Sequence, residues 1–324
     1  MNGEQHRGGA GGRAAAKPPG TLKPWRFGGM RFERRILPVL LLAPAFLLIF
    51  GLVLYPVLRT LWLSFTDTDL ASLVSGQMNF VGLKNYVEIA TDPHLQRVFI
   101  VTVVFGLSCV LGTMLLGLGV ALLLNQSFKG RVILGVIVLL PWAVPRVAAA
   151  IVWRWMFNDQ YGVVNWMLSS VGLGFFKGFA WLNSALPAFV AIGIVVVWQS
   201  FPFVALSLLA GLQAIQPEII EAARLDGASP FQRLRFVVLP MLKPLILVLV
   251  IISTIWDLKI FDQVYVMTGG GPARSTEVLE IATWQEAFTQ LDFGLGSALA
   301  IALFVILALI TVLYIWLIRE EELV

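Results

Sequence analysis

The chain has 324 residues, of which 58% are apolar and only 13% charged, and its formal net charge is +4. So little charge excludes an ordinary soluble domain, in which about a quarter of residues are charged. It points to several membrane helices, each needing roughly 20 apolar residues. The single Cys109 cannot form an internal disulfide, and His6 and His94 are too far apart for metal-ligand spacing. No Gly-rich Lys-Ser/Thr phosphate loop is present, so any nucleotide chemistry belongs to a partner. No basic patch interleaved with aromatics suggests nucleic acid.

In chain order, residues 1–35 are rich in Gly, Pro, Ala and Arg and are expected to form a disordered tail, with 36–324 as the membrane domain. Arg31, Arg34 and Arg35 crowd the edge of a first apolar run, 37–63, which is too long for a signal-peptide core and reads as a retained anchor. A second span is expected over 98–124. A third, 132–157, is broken by Pro141 and Pro145. The fourth, 186–212, carries Trp198-Gln199-Ser200-Phe201-Pro202-Phe203, and the fifth, 236–266, carries Asp257, Lys259 and Asp262. A loop opened by Thr268-Gly269-Gly270-Gly271-Pro272 leads to a sixth span, 295–318. Most loop Lys and Arg fall at the N-terminus, in 125–131, in 213–235 and at the C-terminus. The positive-inside rule therefore puts both termini and the 213–235 loop in the cytoplasm, and six spans are consistent with that. No internal repeat of the kind found in many secondary transporters is visible.

Between the fourth and fifth spans lies a polar island. Pro217 and Glu218 suit a helix's first turn, where the missing amide proton costs nothing and an acid meets the positive dipole end. Gly227 supplies a stop, and Ser229-Pro230 reads as the cap and first residue of a second helix. Helix, sharp turn and helix at a membrane surface make a projecting knob able to transmit force. An interfacial helix joining two spans is the plainer reading.

The order of residues in this island carries more. Glu221-Ala222-Ala223, three residues, Gly227, nine residues, then Val237-Val238-Leu239-Pro240 resembles the EAA signature of bacterial ABC importer permeases, with Val237 where the family commonly has Ile. The likeness extends to Tyr55-Pro56, Ser64-Phe65-Thr66, Val81-Gly82-Leu83-Lys84-Asn85-Tyr86, Pro141-Trp142, Trp153-Arg154-Trp155 and the 268–272 run. These look like carbohydrate-uptake permeases of the maltose, trehalose or glycerol-phosphate type. The resemblance implies an all-α, six-helix type I importer fold in a bacterial inner membrane, with a cytoplasmic coupling helix. It implies no enzyme activity and no cofactor of the chain's own, ATP and Mg being bound by two partner ATPase subunits. A second, homologous permease and an extracytoplasmic sugar-binding protein complete the implied assembly. Glu218, Glu221, Ala222, Ala223, Asp226 and Gly227 are the implied coupling residues.

Carried over position by position, the family's sugar contacts fall on Trp142, Arg146, Ser200, Phe203, Ser253, Asp257 and Ile260. Phe203, Ile260 and Arg146 stand where the maltose permease has Tyr, an amide and a small hydroxyl residue, so the cargo differs from maltose in shape or charge. Trp142 and Phe203 also suit plain aromatic packing, and Asp257 with Lys259 an ion pair. Charges at membrane depth are costly and therefore functional candidates. Two alternatives stand beside the sugar importer: an ABC permease for a non-sugar anionic solute, and an ATP-independent secondary transporter.

Overall fold

The computed structural model describes residues 30–321, with side chains described over 38–316; the sequence-predicted tail lies, up to residue 29, outside the described residues. The chain divides into two units, Met1–Pro56 and Val57–Val324. The first holds helix α1 (Met30–Ile49), which starts within the segment assigned to the tail, and a π turn at Phe50–Leu54. Helix continues over Tyr55–Leu63. A proline ring crowds the carbonyl four residues back, which for Pro56 is Leu52 in the π turn, where the wider winding relieves the clash. The same device recurs at Leu234–Val238, which contains Phe236, four residues before Pro240.

The second unit is a helical bundle. Its long members are α2 (Pro93–Leu124) and α5 (Ala185–Ala214), which pack against each other along much of their length. Between them in sequence come α3 (Arg131–Ala143) and α4 (Arg146–Met156). After them come α6 (Pro217–Leu225), α7 (Leu239–Leu258), α8 (Asp262–Met267), α9 (Leu279–Trp284) and α10 (Phe293–Glu321). Small residues set the α2–α5 distance. A Cβ at Gly117 would stand 2.6 Å from Val204 Cγ1, so only glycine lets the helices approach this closely. The fully buried side chains, among them Val98, Leu124, Ile192, Leu208, Leu249, Ile281 and Leu299, come from α2, α5, α7, α9 and α10.

Among the described residues, five helical stretches are long and apolar enough to cross a membrane: Pro38–Leu63, Pro93–Leu124, Ala185–Ala214, Pro230–Met267 and Phe293–Trp316. The pair α3–α4, bent by 99°, makes a sixth when taken as one broken span. The architecture is the all-α, six-span membrane fold expected from the sequence, with the third span broken as Pro141 and Pro145 predict. The fifth also breaks, at Lys259–Phe261 between α7 and α8, which the sequence reading ran through as helix.

At one end of the bundle, β1 (Thr66–Asp67) and β2 (Asn79–Phe80) form a small antiparallel ribbon. The Asn85 amide secures it by donating to the Ser64 and Thr66 carbonyls at 3.0 Å. At the same end the 268–277 loop is clamped shut. Arg274 donates through Nε and Nη2 to the two oxygens of buried Glu277, at 2.6 and 2.8 Å, and His94 Nε2 approaches Glu277 to 3.4 Å. The Leu279 amide donates to Thr102 Oγ1 at 2.8 Å, tying this loop to α2.

Candidate functional site

The break between α3 and α4 creates the site. A residue ahead of proline is pushed out of the helical region, and Val144, before Pro145, is extended (φ −76°, ψ 132°), as is Pro145 itself (φ −58°, ψ 135°). The freed Val144 carbonyl needs a donor in an apolar setting. Gln199 of α5 supplies it, with Nε2 donating at 2.8 Å. Its Oε1 in turn accepts from Gln263 Nε2 of α8 at 2.9 Å. Both glutamines are buried. One amide chain therefore ties together three helices at the level where two of the spans are interrupted.

Around this chain opens a cavity of about 440 Å³. Trp142, Val144, Pro145 and Arg146 from the break line one side; Gln199 and Ser200 of α5, Trp256 and Asp257 of α7, and Ile260 and Gln263 line the other. Asp257 is only 4% exposed, and its Oδ2 has no hydrogen-bond partner among the described residues. Arg146 is exposed to the opening, and no salt bridge or hydrogen bond from its guanidinium occurs among the described residues. Lys259 does not pair with Asp257; it sits at the helix break, where its charge acts on Glu280, whose carboxyl burial pushes above the usual range and Lys259 partly restrains.

Five of the seven sequence-predicted cargo residues meet here: Trp142, Arg146, Ser200, Asp257 and Ile260. Phe203 stands behind the lining, its ring centroid 6.4 Å from Trp142 and 5.2 Å from Trp256, buttressing both indoles. Ser253 lies one turn before Asp257, is 2% exposed and does not line the cavity. The cavity adds Gln199, Trp256 and Gln263, which sequence reasoning did not single out. A larger cavity of about 740 Å³ runs beside α2 and α5, but its walls are almost wholly apolar, so it offers little to a hydroxylated solute.

The second candidate region is the 217–235 loop. Helix α6 ends in a Schellman motif: Ala228 N donates to Ala223 O and Gly227 N to Arg224 O, each at 3.0 Å, with Gly227 left-handed at φ 79°. A capping box follows, in which Ser229 Oγ accepts from Gln232 N and Gln232 Oε1 accepts from Ser229 N. The knob predicted from sequence is thus fixed by its own backbone. Glu218, Ala222, Asp226 and Gly227 are exposed, and Ala223 is half-buried. Glu221 lines a recess of about 600 Å³ together with Arg224 and Arg233. Leu225 and Phe231, 89% and 69% exposed, are apolar side chains projecting from the same knob that the sequence reading passed over.

Residues 113–320 match the family described as binding-protein-dependent transport system inner membrane component. The chain belongs to this family. It is 40% identical over 288 residues to the sulfoquinovosyl glycerol transport system permease protein SmoG of Agrobacterium fabrum, covering 89% of this chain and 92% of that one. It is 38% identical over 286 residues to the trehalose/maltose transport system permease protein MalF of Thermococcus litoralis, covering 88% and 95%. A crystal structure of a bacterial ABC transporter involved in the import of the acidic polysaccharide alginate superposes with a TM-score of 0.76 at 21% identity, covering 89% of this chain and 97% of that one. That likeness shows the fold, a type I ABC importer permease. The match covers α3 through α10, and so holds both the cavity and the capped knob of the permease.

Proposed function

We propose that this permease imports a sugar, either a di- or oligosaccharide or a substituted or anionic sugar, by alternating access across a bacterial cytoplasmic membrane. The observation that carries the reading is the cavity at the helix breaks. Sugars are bound by hydrogen-bonding groups that fix hydroxyls and by aromatic faces that cover C–H surfaces. Gln199, Ser200, Asp257 and Gln263 supply the first, and Trp142 and Trp256 the second. Relatives named for sulfoquinovosyl glycerol and for trehalose/maltose support a carbohydrate cargo.

In this reading the chain makes and breaks no covalent bond and holds no cofactor. Two ATPase subunits bind ATP and Mg, and the 217–229 knob docks on one of them, with Leu225, and Phe231 of the helix that follows, as apolar contacts. A second, homologous permease completes the translocation path, and an extracytoplasmic binding protein delivers the sugar at the end bearing the 268–277 loop. Both termini lie in the cytoplasm. ATP binding closes the ATPase pair, the knob carries the closure to α7, and the cavity turns outward; coupling of this kind requires two states with different contacts.

The test is uptake by the reconstituted complex in proteoliposomes with its binding protein. Trp142→Ala is expected to lower ATP-dependent uptake by about tenfold, the order expected for one lost stacking face, with assembly unchanged. Uptake that proceeds without ATP would turn the reading toward a secondary transporter. Normal uptake by both Trp142→Ala and Asp257→Asn would place the cargo path elsewhere.

A further inference from the structure

The cavity brings together groups of different chemistry, the acid Asp257 and the amides Gln199 and Gln263 beside the cation Arg146. At its inner wall the hydrogen-bond bookkeeping is forced. The Val144 carbonyl can only accept, so Gln199 must present Nε2 to it and Oε1 to Gln263. Gln263 therefore spends Nε2 on Gln199 and keeps Oε1 as an acceptor. Asp257, 4% exposed, adds Oδ2, a second acceptor without a partner among the described residues. This wall accepts hydrogen bonds from hydroxyls.

The same lining also carries a positive charge. Arg146 is the first residue of α4, an 11-residue helix whose first-turn amides receive no side-chain cap. Arginine is ill suited to that position, because it sets a cation against the positive end of the helix dipole. The charge of Asp257 acts on it within the cavity, but the guanidinium has no salt bridge or hydrogen bond among the described residues, and it is exposed. The break residues Ala143, Val144 and Pro145 line the cavity beside it, so the uncapped turn and the guanidinium share one opening. Together they form an anion site: a planar fork of donors, reinforced by the helix's positive end.

We propose that the cargo is an anionic sugar, its carboxylate, sulfonate or phosphate held by Arg146 and the first turn of α4 while its hydroxyls donate to Asp257 and Gln263. This rests on the sugar-site reading above and deepens it. The opposed signs orient the cargo, since reversing it would set anion against carboxylate. A volume of about 440 Å³ is at the small end of ligand cavities, which suits a short glycoside carrying one such group.

The test is direct binding, by saturation-transfer NMR, to the permease complex with its partner permease and ATPase subunits in lipid nanodiscs. The probes are methyl glucuronide, a methyl 6-sulfonated glucoside and neutral methyl glucoside. The two anionic probes are expected to bind at least about tenfold more tightly than the neutral one, the scale of a charge-assisted bidentate contact. Arg146→Gln should bring all three to within about twofold, and Arg146→Lys should keep a reduced preference. Size-exclusion chromatography checks that each variant assembles. An anionic preference that survives Arg146→Gln, or no saturable binding of either anionic probe, overturns the proposal. If the three probes bind alike and Trp142→Ala weakens them all, the sugar site stands and the anionic assignment is wrong. If Trp142→Ala alters none of them, the sugar-site reading has failed as well.

Discussion

Gln199 holds two interruptions of the bundle together with one side chain. Its amide donates to the carbonyl freed at the α3–α4 break and accepts from Gln263 beyond the α7–α8 break. Gln199→Leu keeps the volume but leaves Val144 O and Gln263 Nε2 without their partners. An orphaned buried group costs about 1–3 kcal/mol in soluble proteins, while an interhelical hydrogen bond in a membrane is worth about 0.6 kcal/mol on average. The expected outcome is a lowered melting temperature together with reduced uptake; an unchanged melting temperature would mean the amide chain does not hold the break. The sequence brought out Trp142, Arg146 and Asp257 through the resemblance to carbohydrate-uptake permeases, and charge within an apolar run marked Arg146 and Asp257 independently. Gln199 and Gln263 were not seen, although both sit at membrane depth, where a polar side chain is already a functional candidate. Their link spans 64 residues and exists only in three dimensions.

At the scale of elements, close helix contact depends on where a glycine faces. Gly117 is buried against Val204 and Ala205, whereas nothing lies within 4 Å of a Cβ at Gly119. Gly117→Leu must therefore push α2 from α5 and is expected to destabilise the purified permease by about 1–3 kcal/mol. Gly119→Leu should be neutral or slightly stabilising, since it removes a glycine from a helix interior. Thermal unfolding in detergent separates the two, and equal shifts would contradict the packing described. A different element carries a pH dependence. Burial raises the carboxyl of Glu286; Arg274 opposes this, while the negative charges of Asp292, Glu277 and Glu88 add to it. A carboxyl whose folded pKa exceeds its unfolded value stabilises the fold in its protonated form. That contribution is complete below the ordinary value of 4.5 and is lost as pH rises through the raised folded value. The 268–292 segment should therefore exchange amide hydrogens faster as pH climbs above 4.5, after correction for intrinsic rates, and Glu286→Gln should flatten the trend. A trend of the opposite sign would refute the assignment. Helix boundaries and the broken third span were legible because prolines and apolar runs write them locally. The break at Lys259–Phe261 was not, because no Gly or Pro marks it.

At the scale of the whole molecule, the knob and the cavity belong to one mechanical path. The Schellman motif and capping box fix α6 to the short helix Pro230–Arg233, and a π turn at Leu234–Val238 joins that helix to α7. Helix α7, 20 residues and about 30 Å long, ends with Trp256 and Asp257 on the cavity wall. A displacement of the knob thus reaches the cavity through continuous helix. The knob could be read from the sequence because its determinants are consecutive residues; the cavity could be read only in part, because its walls come from distant segments. Gly227 is where the path can be cut without touching either end. Its φ of 79° lies far from the −65° that proline imposes, and its amide donates to Arg224 O. Gly227→Pro loses both the left-handed turn and that hydrogen bond, and so releases α6 from the helix that follows. Membrane insertion and cargo binding at the cavity should be retained, because neither uses this turn. ATP-dependent uptake should fall to background, and cargo should no longer stimulate ATP hydrolysis by the complex. Glu221→Lys gives an independent check, since it reverses the one acidic side chain lining the recess with Arg224 and Arg233 and should impair coupling with binding preserved. Full uptake by the Gly227→Pro complex would show that force does not pass through the knob. Loss of cargo binding together with uptake would show that the turn supports the fold of the permease rather than its coupling to the ATPase subunits.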